Sequence, residues 1–479
     1  MDKIKIFKAV SFLVILIYVL SAVNDVISYK EPYGIVQYEG FYEQPEDSID
    51  VLFMGTSHVY SNIDPAYIYD ETGILGYNLA TGGAFIEQTY YSFVQALEYQ
   101  CPEVIVIEVY GAVRGGQLTQ RELVCATQGL KNPIVKYDAL QTDCEGTDDT
   151  VMEFWYTFPW YHTLYTSIDK YDFSDYENIT YYGDGKCSYL YPENDLQAYK
   201  GSTTLLNVYP CENVFDVENV TQEDKITETS EEYLRKIISL AYERDIDVCI
   251  VSAPFQRIDE NMQKQVNYIK NTICWEYGCE FLDANLTLDE IGINWLEDCG
   301  DSGHLNYRGA EKFSRWLANK LADLYSLDNM KGEPVAESWE RNLEWQNGVK
   351  KAGELPLIVD FYEYMSKVDE ERYLVYMSFY GANYQKYAIQ EFGMENIDGI
   401  VYDGKDVYYH YIGDTEINID HKKDFFSIKT GQAGGQIYHN GSIIANKSSE
   451  GILVVVYDKE LNNIIDTVCF VGLELNAVR

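Results

Sequence analysis

The sequence predicts an α/β fold. It reads as a parallel sheet flanked by helices and broken by one large insertion, followed by a β-rich α+β domain and preceded by an N-terminal transmembrane helix. Three observations carry this reading. Apolar or β-branched runs alternate with helical patterns over residues 50–110 and again over 229–325. From residue 357 the texture changes to closely spaced strand-like runs. At the N-terminus, Lys3, Lys5 and Lys8 lead into an uncharged apolar run from Ala9 to Val23, the pattern of a secretion signal or signal anchor.

The apolar run reaches spanning length when counted from Ile4, with Lys5 and Lys8 snorkelling to the interface. Its uniform apolarity differs from the stripe of a buried core helix. An anchor is expected, with residues from about 30 onward outside the cytoplasm. Ser21 and Ala22 would suit a signal peptidase in the alternative, a cleaved signal. Residues 50–54 (DVLFM), ending at Gly55, form a buried strand. Asp64 and Pro65 suit an N-cap and first helical position, and Gly73 stops that helix. A second strand is expected at 76–79, a helix at 86–98 and a central parallel strand at 104–109 (VIVIEV).

The pattern then breaks until about 229. Residues 110–228 form a long aromatic-rich insertion, with FWYTFPWYHTLY at 154–165. Such a segment serves as a lid or partner surface, or as extra packing over the sheet edge. Thr229 and Glu232 have capping-box spacing before an apolar face of Leu234, Ile237, Ile238 and Ala241. A strand at 247–252 follows, then a helix marked by Met262, Val266, Ile269 and Ile273 and ended by Gly278. A strand at 280–283 and a last helix, with Phe313, Trp316, Leu317, Leu321 and Leu324 on one face, complete the core. Residues 327–356 read as a polar connector. Strands are expected at 372–380, 399–403, 407–412, 451–457 and 464–471, the last two joined by a turn over 458–463. The expected division is an anchor (1–30), an α/β domain (31–326), a linker (327–356) and a β-rich accessory domain (357–479).

The 479 residues include 77 Asp and Glu against 36 Lys and Arg, a formal charge of −41. That balance excludes sequence-independent nucleic-acid binding and disfavours docking of the folded surface on anionic lipid. With 46% hydrophobic residues the chain is too apolar for an acidic disordered protein. An acidic surface repels polyanionic glycans unless Arg114, Arg121 or cations offset it, so neutral or amino-sugar polymers match it better. The ten cysteines are expected mostly as buried thiols, with pairing among Cys144, Cys187 and Cys211 open in an exported chain. No Cys/His spacing suits a metal, no cofactor is expected, and His410, His421 and His439 receive no role.

Three segments carry chemistry. Gly55-Thr56-Ser57-His58 follows the first strand, where a serine at a strand-to-helix turn presents its hydroxyl at the carboxyl end of the sheet. Asn78-Leu79-Ala80-Thr81-Gly82-Gly83 follows the second, and a glycine there leaves a backbone N–H open to a substrate oxygen. Asp301-Ser302-Gly303-His304-Leu305-Asn306 lies in the loop before the last helix, where Asp301 can orient His304 and His304 can take a serine proton. His58 reads as the helix start, its backbone N–H serving the oxyanion. The less favoured alternative is a fourth catalytic group. His162, in the insertion, reads as a surface histidine or a substrate contact.

In these three segments the chain resembles the SGNH (GDSL-like) hydrolase superfamily over residues 49–110 and 229–325. The resemblance implies Ser57 as nucleophile, Asp301 and His304 as its partners, and an oxyanion hole from the N–H groups of Ser57, His58 and Gly83. It implies substrate contact at Asn78, Tyr110 and Arg114. One element departs: the third block of that family ends its strand in G-x-N-D, and here the Asn position falls near Ala112 in VIVIEVYGAV. Tyr110, Arg114 and Gln117 are the nearby substitutes. The variant GTSH resembles exported acyltransferase-like branches, the alginate O-acetyltransferases and teichoic-acid D-alanylation proteins, which work beside a membrane acyl-transfer partner. Residues 372–472 resemble, more faintly, the interleukin-like EMT-inducer domain through YLVYMSFYGAN, IDGIVYDG and EGILVVVYDKELNNIIDTVCF. Together these resemblances imply a single-anchored extracytoplasmic esterase or O-acyltransferase acting on a cell-surface glycan or acylated polysaccharide. The alternative is a decayed hydrolase fold that only binds glycan.

Overall fold

The computed structural model describes residues 3–27, 32–116, 118–145, 150–156, 171–172, 180–181, 190–192, 195–212, 214–368, 372–381 and 384. Beyond these it describes 399–403, 406–411, 417–421, 424–431, 434–439, 442–447, 450–461, 463–472 and 475–478. Gln117, His162, Cys187 and most of the aromatic run at 154–165 lie outside the described residues. The chain divides into two units, Met1–Leu343 and Glu344–Arg479.

The first unit opens with the helix Lys3–Ile27. Its stretch Lys3–Asn24, of mean hydropathy 2.5, is the one helix among the described residues long and apolar enough to cross a membrane, and none of it is buried against protein. The strands that follow are β1 (Val51–Gly55), β2 (Gly76–Ala80), β3 (Val104–Glu108), β4 (Tyr171–Asp172), β5 (Thr180–Tyr181), β6 (Asp247–Ser252) and β7 (Glu280–Asp283). Five of them form one sheet in the order β2-β1-β3-β6-β7, with every neighbouring pair parallel. β4 and β5 pair separately, within the insertion. All residues of β1, β2 and β3 are buried, which is why these strands read as unbroken apolar runs.

Alternate side chains leave the sheet on opposite faces. Leu52, Met54, Ile105, Ile107, Val248 and Ile250 join one core cluster with the helices Ile86–Ala96 and Glu228–Tyr242. Val51, Phe53, Val104, Val106, Cys249 and Val251 join the other with the helix Tyr307–Leu324. On that helix Phe313, Leu317 and Leu321 are fully buried, and each contributes about 1.5–3 kcal/mol by leaving water. Leu324, expected on the same face, is exposed because it sits in the last turn.

Helix ends follow local chemistry. Asp64 Oδ1 accepts the Ala66 N–H at 3.0 Å, Pro65 opens the helix Pro65–Thr72, and Gly73 closes it at φ 81°. The capping residue of Glu228–Tyr242 is Thr227, whose hydroxyl accepts the Ser230 N–H. The cap therefore lies two residues before the expected Thr229. The connector expectation also needs correction: Glu337–Glu354 is a helix. Its composition is polar, but Trp339 is fully buried and donates Nε1–H to the Gly76 carbonyl at 2.9 Å.

The described parts of the insertion pack on the core. Lys200 O accepts the Asn78 N–H at 3.0 Å, covering the outer edge of β2. The Lys200 ammonium donates to Gln44 Oε1 (2.5 Å), Gln197 O (2.8 Å) and Ser338 Oγ (2.7 Å), over the face of Trp339. Packing over the sheet edge is thus what residues 198–204 provide.

The second unit carries the helix Phe361–Val368 and strands β8 (Tyr373–Tyr380), β9 (Gly399–Asp403), β10 (Asp406–Tyr411), β11 (Ile417–His421), β12 (Asp424–Gly431), β13 (Gly434–His439), β14 (Ser442–Lys447), β15 (Gly451–Asp458), β16 (Asn463–Val471) and β17 (Asn476–Val478). They form two antiparallel sheets, β10-β9-β8-β15-β16-β17 and β11-β12-β13-β14. The expected terminal hairpin is present, with Asp458 opposite Asn463.

Candidate active site

The turn after β1 is built for close approach. Gly55 has φ 148°, and a Cβ there would meet Val59 and Glu108 at 3.0–3.2 Å. Thr56 then caps the helix Ser57–Asn62. Its hydroxyl donates to Glu108 Oε2 (3.4 Å) and accepts the His58 N–H (3.2 Å). Ser57 is the first residue of that helix, at the carboxyl end of the sheet.

The loop after β7 carries the partners. Asp301 Oδ1 accepts the backbone N–H groups of Gly303 (2.6 Å) and His304 (2.9 Å), which tightens the loop around the carboxylate. His304 Nδ1 lies 2.9 Å from Asp301 Oδ2, and Nε2 lies 2.8 Å from Ser57 Oγ. Burial works against the charged form of Asp301, but the bonds from His304 and the two N–H groups outweigh it. They hold its pKa below the usual carboxylate value. An ionised Asp301 makes Nδ1 the protonated nitrogen of neutral His304 and leaves Nε2 to accept the Ser57 proton. A hydroxyl, an imidazole and a carboxylate from opposite ends of the unit, 247 residues apart for Ser57 and His304, thus form one hydrogen-bonded line.

No protein-family model matches the chain, and no curated protein matches it.

Four further side chains hold the line in place, and of these the sequence reading had named only Asn306, within the third segment. Asn62 Oδ1 accepts the Leu305 N–H at 2.9 Å. Gln256 Nε2 donates to the Asp301 carbonyl at 2.8 Å. Asn306 caps the last helix through Oδ1 and donates Nδ2–H to Glu297 O and Cys299 O, closing the base of the loop. Glu108 is a buried carboxylate at the end of β3 that accepts the Tyr110 N–H (3.0 Å) and the Thr56 hydroxyl. Of the other three, only Glu108 left a visible signal, an acid ending the run VIVIE.

The second-block turn brings Gly83 into the left-handed region at φ 70°, and a Cβ there would lie 2.3 Å from Glu122 Oε1. Among the described residues neither the Ser57 nor the Gly83 N–H has a backbone acceptor. The His58 N–H, expected as a third donor, is instead taken by Thr56 Oγ1. The His58 ring is buried between Tyr110 (centroids 4.2 Å) and Phe255 (4.6 Å), with Nδ1 3.7 Å from Glu108 Oε1. Burial lowers its pKa despite Glu108, which keeps it neutral.

Three substrate-contact expectations resolve differently. Asn78 is fully buried and donates Nδ2–H to the Ile63 carbonyl at 2.7 Å, so it fastens the first helix to β2 and cannot meet a substrate. Arg114 donates to the Gly83 carbonyl and to Glu122 Oε1 (3.0 Å), with its guanidinium 4.4 Å above the Phe85 ring. It fixes the Gly83 turn. Tyr110 is half-buried against His58. At the missing third-block position, Ala112 is buried in the turn Tyr110–Val113 and offers no side-chain donor.

Proposed function

We propose that the protein is a membrane-anchored extracytoplasmic serine esterase or O-acyltransferase acting on ester groups, O-acetyl foremost, of a cell-surface glycan. The observation that carries this is the continuous contact Ser57–His304–Asp301. In the proposed reaction Ser57 Oγ attacks the ester carbonyl and its proton passes to His304 Nε2. The N–H groups of Ser57 and Gly83 receive the oxyanion, and Asp301 stabilises the imidazolium. His304 returns the proton to the departing alkoxide, leaving an acyl-Ser57. Water, or a sugar hydroxyl deprotonated by His304, then releases the acid or the acylated glycan and restores Ser57.

A groove that meets the Asp301–His304 loop at Cys211 suits a neutral or amino-sugar polymer. It measures about 440 Å³, and its lining includes Phe215 and Trp295, with Asp216, Glu218 and Asp289 as its charged groups. Aromatic faces stack on sugar rings, and carboxylates accept hydroxyl or ammonium protons while repelling anions. The apolar helix Lys3–Ile27 supports the anchor, and the lysines at 3, 5 and 8 support a cytoplasmic N-terminus.

Full-length protein in detergent should label at Ser57 with a fluorophosphonate. Ser57→Ala should abolish labelling and lower p-nitrophenyl acetate hydrolysis by about 10⁴-fold or more. A folded chain that does not label sinks the enzyme reading. A second reading, glycan binding without catalysis, is favoured by the buried Ala112 at the third donor position, because losing one oxyanion donor costs about 10²–10³ in rate. Retention of chito-oligosaccharide by an unlabelled protein would establish it.

A further inference from the structure

Two cysteines lie on adjacent segments at the loop that carries Asp301 and His304. The insertion returns toward the core along residues 205–211 and runs beside this loop. Tyr307 N–H donates to Leu205 O (3.0 Å), Tyr209 N–H to Cys299 O (2.8 Å) and Cys211 N–H to Trp295 O (2.9 Å). The approach is close: a Cβ on Gly300 would lie 2.6 Å from Leu205 Cβ. Cys299 is fully buried and bridges to Leu305, one residue past His304. Cys211 is partly exposed, and its Sγ lies 4.0 Å from the Asp301 carbonyl. The Tyr209–Cys299 and Cys211–Trp295 backbone bonds bracket the two cysteines on adjacent segments, and both thiols are free.

The other close pair has a purely conformational explanation. Cys274 and Cys279 flank the helix-ending Gly278, and Cys274 O accepts the N–H groups of Gly278 and Cys279. That places the two side chains together at a helix C-terminus as a packing contact. No turn of this kind links Cys211 and Cys299, which come from segments 88 residues apart (299 − 211).

We infer that Cys211 and Cys299 are an oxidation site, closing to a disulfide that ties the returning limb of the insertion to the Asp301–His304 loop. The inference takes from the proposed function only the placement outside the cytoplasm, where disulfides persist. The oxidant is a disulfide donor. The exposed Cys211 thiolate attacks one donor sulfur and expels the other half as a thiol, giving a mixed disulfide. The Cys299 thiolate then attacks Cys211 Sγ and expels the second donor thiol. Two protein thiols and one donor disulfide thereby become one protein disulfide and two donor thiols. Because Cys211 also lines the groove of Phe215 and Trp295, the bond would hold one wall of that groove against the loop.

The test uses full-length protein equilibrated with excess oxidised glutathione, then denatured, alkylated and digested without reduction. The expected result is a cross-linked peptide pair joining Cys211 to Cys299, lost on adding phosphine reductant as both cysteines become alkylatable. Cys211→Ser should abolish the pair and leave Cys299 alkylated. Reduction of the wild type should lower its thermal midpoint and leave that of Cys211→Ser unchanged. Alkylation of both cysteines before reduction overturns the inference, as does glutathione retained on Cys211 with Cys299 free, or pairing of either with a third cysteine. These readouts require no activity, so failure of the esterase reading would not produce them.

Discussion

At the scale of single residues, the site separates groups that react from groups that hold them. Ser57, His304 and Asp301 were visible because two short motifs stood after predicted strands in the right order. Asn62 and Gln256 were not, since each acts through a backbone group brought near only by folding. Asn78 misled for the converse reason: a polar residue inside a motif is here a buried clamp. Asp301→Asn keeps the shape of the side chain but donates toward Nδ1 and favours the wrong imidazole tautomer. Hydrolysis of p-nitrophenyl acetate should fall by about 10²–10⁴-fold, while circular dichroism stays unchanged. Unchanged turnover would remove Asp301 from the mechanism.

At the scale of elements, the parallel strands were readable because continuous burial demands continuous apolarity. The helix Glu337–Glu354 was missed because several of its buried positions carry polar side chains, Ser338, Asn342 and Gln346, and so leave no apolar stripe in the sequence. The cap of Pro65–Thr72 makes a testable pH signature. Burial raises Asp64 to about 7, against the hydrogen bond from Ala66. The folded state therefore binds this proton more tightly than the unfolded chain, whose carboxyl titrates at 3.8. The contribution is full below about pH 4 and is lost as pH rises through about 7. Asp64→Asn retains an acceptor for Ala66 and has no proton to lose, so its thermal midpoint should fall less than the wild type's between pH 5 and 8. Parallel profiles would contradict the assignment. The pin at Lys200 offers a second test. Lys200→Ala leaves Gln44, Gln197 and Ser338 without their shared donor in a buried site, and chemical denaturation should show a loss of about 3 kcal/mol.

At the scale of the whole molecule, the net charge of −41 acts on which polymers approach. With the acidic groove beside the loop, the proposed esterase should deacetylate partly acetylated chito-oligosaccharides faster than acetylated polyuronates at low salt. The difference should narrow between about 10 and 300 mM NaCl, as the screening length drops from roughly 30 Å to under 10 Å. Equal rates at low salt would show that the surface field does not select substrate.

The line from Ser57 to His304 also sets a clock. The serine leaves the ribosome 247 residues ahead of the histidine. At roughly 5–20 residues per second, it waits about 12–50 s for its base. During that interval position 57 holds an ordinary alcohol with no base beside it. If the protein is the proposed exported esterase, its site is complete only when the last third of the first unit arrives, and a chain truncated before Asp301 would be inert toward lipid esters.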